Sequence, residues 1–246
     1  MKEIGLIGFG NFGKFLCTHL KDHFDITVSD VIDISNSASE LGVKAASLEV
    51  VASKEIVIIA VPVQYFESTV ESIKNLVKPN ALVMDVSSVK IKPIKLMKKL
   101  LPKNVNILGT HPLFGPQSGK NGIKGLKVVL CPVRLKNIEK IKSFLVTDLG
   151  LEVLIRTPKD HDNEMAYVQG LTHFIGKAVS KMDIKDFDQS TVAYHHLFEL
   201  KELLKTGSMD LFLTIENENS FAKKVRKEFV KELKEIEKQI KENKFI

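Results

Sequence analysis

Two cysteines, Cys17 and Cys131, are all that the chain contains, far apart in sequence and each among apolar neighbours. They exclude a disulfide framework and supply no metal-ligand spacing, so no metal site is expected. Long apolar runs are missing as well. The longest, "IVIIAVPV" at 56–63, is too short to cross a bilayer and carries Pro62, so no membrane partner is expected. A signal peptide is not expected, because acidic Glu3 and a glycine pattern break up the apolar N-terminus "MKEIGLIGFGNFG". A reducing cytoplasm is the expected location. Internal repeats and low-complexity segments are absent.

Clustered charge is lacking too. The net charge of +6 comes from 36 basic and 30 acidic residues, mostly lysines interleaved with glutamates. They are densest in "KKVRKEFVKELKEIEKQIKENK", where Val225, Phe229, Leu233, Ile236 and Ile240, with Phe221 just before, fall at the spacing of one helical face. That pattern reads as a solvated charged surface over a core or subunit-contact stripe, and nucleic acid is not expected as a partner. With 44% hydrophobic and 27% charged residues, the chain is an ordinary globular one, long enough for a sizeable core.

Over the first 155 residues, short apolar runs alternate with amphipathic segments. Strands are predicted at 4–8, 26–30, 55–61, 81–86, 105–110, 126–131 and 151–155, and helices at 11–22, 64–77, 90–100 and 136–148. This alternation predicts an α/β fold, a doubly wound and mostly parallel sheet with helices on both faces. After "RTPKDHD" no strand pattern recurs and long helical patterns take over. The expected domains are a Rossmann-type dinucleotide-binding domain at 1–157 and a smaller all-helical domain at 158–246.

"GLIGFGNFGKFL" places Gly8, Gly10 and Gly13 in G-x-G-x-x-G spacing after a strand and at the opening of a helix that starts Asn11-Phe12. The first glycine makes a tight turn, the second lets backbone approach a pyrophosphate, and the third lets helix pack on strand. The helix N-terminus then offers N–H groups and partial positive charge to phosphates. Asp30 ends the second strand at the distance where a carboxylate accepts ribose hydroxyls of NAD and repels the 2′-phosphate of NADP. "VIDISNS" after it contains no lysine or arginine, so NAD is favoured and NADP is not excluded. Asp30 is also compatible with a plain turn role. Val61 and Pro62 end another strand on the ligand-binding edge, where Pro62 equally suits a helix start.

Two further strands end on that edge. "VMDVSSVK" brings Asp85, Ser87, Ser88 and Lys90, with helix capping the alternative for either serine. "GTHPLFGPQSG" at 109–119 brings His111 amid two prolines and three glycines, which predicts a stiff, specifically shaped loop rather than helix or strand. An imidazole held beside a dinucleotide site is expected to act in chemistry. Gln117 and Ser118 are possible polar contacts in the pocket wall. His161, His195 and His196 read as surface or packing residues.

"GFGNFG", "DVSSVK", "GTHPLFGPQSG" and "DHDNEMAYVQGLTHFIGKAV" together resemble the prephenate/arogenate dehydrogenase family of tyrosine biosynthesis, as does "SMDLFLTIENEN". The resemblance implies an oxidoreductase acting on a small cyclohexadienol: hydride passes to NAD(P), carbon dioxide leaves, and the ring becomes aromatic. It implies His111 as acceptor of the hydroxyl proton and Ser88 as a bridge between that hydroxyl and the nicotinamide, with Ser87 a close competitor. His173 is implied as substrate-facing, with Gln169 on the same helix and a helix–helix contact the alternative for His173. Some prephenate-preferring members carry an arginine in the late helical segment. This sequence has Asp210 there and no nearby arginine before Arg226, which points towards the ammonium of arogenate unless Asp210 merely starts a helix. The chain is expected to dimerise through the helical half, and any tyrosine feedback to act at the active site, since no regulatory domain follows. The rival readings are a β-hydroxyacid dehydrogenase or pyrroline-carboxylate reductase, which do not account for "HPLFGP", and a non-catalytic NAD sensor, which has no need of His111.

Overall fold

A computed structural model describes residues 2–135, 137–205 and 208–244. The chain divides into two compact units, Met1–His161 and Asp162–Ile246. The first holds strands β1 (Glu3–Ile7), β2 (Asp25–Ser29), β3 (Lys44–Ala45), β4 (Ile56–Ile59), β5 (Leu82–Asp85), β6 (Asn106–Pro112), β7 (Lys127–Arg134) and β8 (Glu152–Ile155). Helices α1 (Asn11–Leu20), α2 (Ser35–Leu41), α3 (Leu48–Ala52), α4 (Phe66–Ile73), α5 (Ile91–Leu100) and α6 (Glu139–Ser143) alternate with them. A π-helical stretch, Phe144–Asp148, continues α6. Lys136, the first residue of the helix expected at 136–148, lies outside the described residues.

The eight strands form one sheet in the order β3-β2-β1-β4-β5-β6-β7-β8. All neighbours pair in parallel except β6 and β7. Side-chain alternation explains why the central strands read as unbroken apolar runs. Ile4 and Leu6 of β1 join Ile26, Val28 and Ile58 with Cys17 and Ala38 on one face. Ile7, Val57, Ile59 and Val83 join Phe66, Val70, Ile94 and Met97 on the other. A sheet buried on both faces needs hydrophobic residues at every position. A third cluster, with Leu108, Val128, Leu130 and Ile123, covers the β6–β7 end.

The expectation for 109–119 needs correction. Gly109 to Pro112 are not loop but the end of β6, and His111 pairs with Val129 of antiparallel β7. Proline's fixed φ is compatible with a strand end, and Pro112 lies past the last β5 pair, Asp85↔Gly109, so no ladder bond is asked of its missing donor on that side. Only Leu113 onward leaves the sheet. That loop is tied by Leu113 N–H to Lys127 O (2.9 Å), by Gly115 N–H to Ser118 Oγ (3.0 Å) and by Gly119 N–H to Gly115 O (2.8 Å). It also rests on α1, where Phe114 stands edge-on to Phe15 with ring centres 6.1 Å apart.

The second unit is helical, and no strand follows β8 among the described residues. Helix α7 (Pro158–Met165) contains the division between units and runs through a π-helical stretch, Ala166–Leu171, into α8 (Thr172–Lys181). Then come α9 (Val192–Lys205), α10 (Met209–Leu213), a second π-helical stretch (Thr214–Glu218) and α11 (Ala222–Lys241). A π turn takes an extra residue and rotates whatever follows. For that reason Met165, Val168, Leu171, Ile175 and Val179, apolar positions spaced for one face of a regular helix, do not share one: Met165 and Val179 are buried, Val168 is exposed. Arg226 of α11 pairs with the buried carboxylate of Glu216 and donates to its carbonyl at 2.7 Å. No helix among the described residues is long and apolar enough to cross a membrane.

Candidate active site

The sheet reverses direction of progression between β1 and β4, and ligands of open α/β sheets bind outside the carboxyl ends of the strands at such a point. Gly8 lies there with φ +98°, a conformation that glycine adopts without penalty, and its N–H donates to Ser29 O at 2.9 Å. A Cβ on Gly8 would stand 2.7 Å from Ala60 O and 3.1 Å from Val61 Cγ1, so turn and β4 end are in contact. At Gly13 a Cβ would fall 2.2 Å from Gly8 O, which only glycine permits. Gly10 is different: nothing lies within 4 Å of the position its Cβ would take, and the residue is exposed. The first turn of α1, Asn11-Phe12-Gly13, carries no acidic side chain and no side-chain cap. With Gly10 open beside it, the dipole at this helix end is unopposed by any acidic or capping side chain. That is a cradle for an anion, and the donor set fits a dinucleotide pyrophosphate.

Asp30 follows β2 and closes the same turn. Its Oδ2 accepts from Phe9 N–H at 2.6 Å and its Oδ1 from Val31 N–H at 2.7 Å. Each carboxylate oxygen keeps a further lone pair for a ribose hydroxyl. Pro62 is exposed and precedes a 3₁₀ turn, Val63–Tyr65, so it fills the helix-starting role as well as standing at the strand end.

Beyond β5 the polar residues are built into a buried group. Lys90 and Asp85 form an ion pair with both side chains at 0% exposure, and Lys90 Nζ also donates to Thr110 O at 2.6 Å. Thr110 Oγ1 in turn donates to Asp85 O at 2.5 Å, tying β5 to β6 one residue before His111. Burial pushes the Asp85 carboxyl up, opposed by the Lys90 ammonium and the Ser87 N–H, which donates to Asp85 Oδ1 at 3.0 Å. The capping role weighed for the serines is not what they do. Lys90 itself precedes α5, and no side chain caps that helix. Ser87 Oγ is a buried atom with no hydrogen-bond partner among the described residues, and Ser88 is half-buried beside it in sequence.

His111 is 3% exposed, and its Nδ1 lies 2.8 Å from Nε2 of His161. The rings meet edge-on, with centres 5.0 Å apart. Burial holds the His111 imidazole well below its ordinary value, and the nearby His161 and Lys90 add to that. The ring is thus held neutral, with Nδ1 engaged and Nε2 making no hydrogen bond to a described residue. His161, read from the sequence as a surface or packing residue, is 1% exposed and is the partner that reading missed. Fifty residues separate the two, so no local spacing marks them. His195 and His196 are exposed.

In the second unit, Gln169 and His173 are half-buried, four positions apart on the continuous helical run, and burial lowers the His173 imidazole. Asp210 is exposed in the first turn of α10, where a carboxylate favours the helix dipole, and Ser208 Oγ caps that helix by accepting from Leu211 N–H at 3.1 Å. Ser118 is engaged within its own loop, and Gln117 is exposed.

A glycine turn and bare helix N-terminus at the switch point of a parallel sheet define a nucleotide-binding α/β protein of Rossmann type. Residues 17–154 match the family described as prephenate dehydrogenase, nucleotide-binding domain, and residues 157–245 the one described as prephenate dehydrogenase, dimerization domain. The chain belongs to the prephenate dehydrogenase family. It is 33% identical over 221 residues to arogenate dehydrogenase 1, chloroplastic, of Arabidopsis thaliana, covering 85% of this chain and 34% of that protein. A probable arogenate/prephenate dehydrogenase of Methanocaldococcus jannaschii is 29% identical over 249 residues, covering 95% of this chain and 55% of that one. The chain thus spans about a third to about half the length of these two relatives. In fold it is similar to the solved prephenate dehydrogenase from A. aeolicus in complex with hydroxyphenyl propionate and NAD+, with a TM-score of 0.78 at 21% identity over 99% of this chain and 92% of that one.

Proposed function

We propose that the protein catalyses oxidative decarboxylation of arogenate or prephenate, yielding tyrosine or 4-hydroxyphenylpyruvate. The observation that carries this reading is the buried, neutral His111 on the nucleotide-binding edge of the sheet, in a chain of this family. NAD, when bound, supplies the hydride acceptor. Gly8, Gly10, Asn11, Phe12 and Gly13 hold its pyrophosphate, Asp30 its ribose, and Val61, Pro62 and Ser87 border it. Support for NAD comes from the open space at Gly10, from Asp30 without a basic neighbour, and from the NAD+ present in the A. aeolicus structure.

His111 accepts the substrate hydroxyl proton at Nε2 as the carbon beneath loses hydride, with Ser88 hydrogen-bonded to the same hydroxyl. Gln169 and His173 are assigned to substrate binding. Asp210, exposed and with no arginine between it and Arg226, is assigned to the ammonium of arogenate, which is the preferred substrate on this reading. The Arabidopsis relative, an arogenate dehydrogenase, supports that preference. The helical unit carries Leu233, Ile236 and Ile240 exposed on α11, and with the family's dimerization-domain description this supports a homodimer.

The test is NADH absorbance when purified protein meets NAD with arogenate or with prephenate. His111→Asn is expected to bind NAD normally and lose about 10²–10⁴-fold in turnover, the range a general base contributes. Near wild-type turnover in that variant overturns the assignment of the base, and turnover of neither substrate overturns the function. A clear preference for prephenate discards the role of Asp210.

A further inference from the structure

Two imidazole nitrogens 2.8 Å apart share one proton, so one ring donates and the other accepts. Two arrangements satisfy that contact. In one, His161 donates from Nε2, and His111 then carries its own proton on the far nitrogen and is useless as a base. In the other, His111 donates from Nδ1, and its Nε2 is bare. We infer that His161 is the positioning residue of the site: it accepts the Nδ1 proton of His111 and holds that ring in the tautomer whose Nε2 takes the substrate proton.

This inference rests on the proposed role of His111 and adds a residue to it. The surroundings of the pair favour the second arrangement. His111 becomes a cation when it takes a proton, and an imidazolium donates from both nitrogens. With Nδ1 already donating to His161, the proton arrives at Nε2 and nothing at Nδ1 has to be rebuilt. In the first arrangement a proton arriving at Nδ1 would find His161 donating into it. Lys90 Nζ, on the carbonyl of Thr110 next in the chain, adds positive charge that makes an accepting partner more valuable. His161 is also mounted for such a role. It lies one turn into α7, its N–H bonded to Thr157 O at 2.9 Å, and its ring is fully enclosed. The pair lies wholly within the unit Met1–His161.

The experiment is long-range ¹H–¹⁵N correlation on ¹⁵N-histidine-labelled protein without substrate, which reads the tautomer of His111 directly. The expected spectrum shows His111 protonated at Nδ1 and bare at Nε2. A wild-type His111 protonated at Nε2 overturns the inference, whatever any variant does. In His161→Phe, similar in volume but unable to accept, the His111 signals are expected to move to the other tautomer or a mixture. Turnover should drop about 10²-fold, the lower end of a general-base contribution, with KM for substrate and Kd for NAD within about twofold. His161→Gln, whose amide oxygen can accept at the same reach, should restore most of the turnover and the original spectrum. An unchanged His111 tautomer and turnover in His161→Phe also overturn it. The spectrum needs no turnover, so a failure of the proposed activity and a failure of His161 are read separately.

Discussion

Replacing Lys90 by Met would leave Asp85 as a carboxylate at 0% exposure, with only the Ser87 N–H still donating to it. The lysine's aliphatic stem is replaced well, so packing changes little, while the ammonium lost is the one that also holds Thr110 O at 2.6 Å. Breaking a buried ion pair from one side costs about 3–5 kcal/mol, because the remaining charge is uncompensated. For a cooperative unit the size of Met1–His161, each kcal/mol lowers Tm by roughly 2–4 °C, so a fall of about 6–20 °C is expected. The pH dependence has a definite sign. Without Lys90, burial outweighs the Ser87 N–H and holds the folded Asp85 carboxyl above its ordinary 3.8. A raised folded value means the neutral acid fits the fold, so the deficit is greatest at neutral pH and shrinks as pH falls towards 3.8. Adding Asp85→Asn removes the stranded charge and should recover most of the loss. Differential scanning calorimetry on wild type, both single variants and the double variant, at pH 5 and pH 8, closes the cycle. A Lys90→Met effect within about 0.5 kcal/mol, as for a surface change, or one equal at both pH values, refutes the account.

Three further outcomes follow from the geometry. Asp30→Ala should weaken NAD binding by about 10–100-fold, the value of a charge-assisted hydrogen bond, and weaken NADP binding less; unchanged affinity by calorimetric titration removes Asp30 from the ribose. Because burial, His161 and Lys90 all hold His111 below 6.5, kcat/KM should stay level as pH falls through 6.5 and drop only beneath it; an inflection above 6.5 places the base elsewhere. Leu233→Glu with Ile236→Glu, at positions 49% and 47% exposed, should keep helicity by circular dichroism and convert dimer to monomer by light scattering; a persistent dimer moves the interface off α11.

The fold was legible because its strongest signals are periodic. Unbroken apolar runs such as "IVII" marked strands buried on both faces, and the glycine spacing marked the first turn. What was missed has physical reasons. The two-residue β3 and the short α2 and α3 carry too few residues to show a period. The π-helical stretch after α7 shifts phase, so a spacing of 3.6 residues per turn does not account for exposed Val168. At the site, the glycine turn, Asp30, both serines and His111 were visible as motif residues on strand ends. His161 was not, since its part depends on a contact across fifty residues that only the folded chain creates. Lys90 was noticed as part of "DVSSVK", but nothing in a lysine's sequence neighbourhood announces complete burial.

The antiparallel pairing of β6 with β7 continues through His111 and Pro112, opposite Val129 and Val128. The imidazole is therefore mounted on a ladder anchored from both strands, and the chain from Leu113 to Leu126 is a closed excursion between two fixed posts. Its outer turn at Lys120 and Asn121 is exposed. Residues there can be exchanged, lengthened or fused to a reporter without shifting the ring. Sequence drift at that outer turn can change the surface there while the His111 ring stays where it is, so the two can evolve at separate rates.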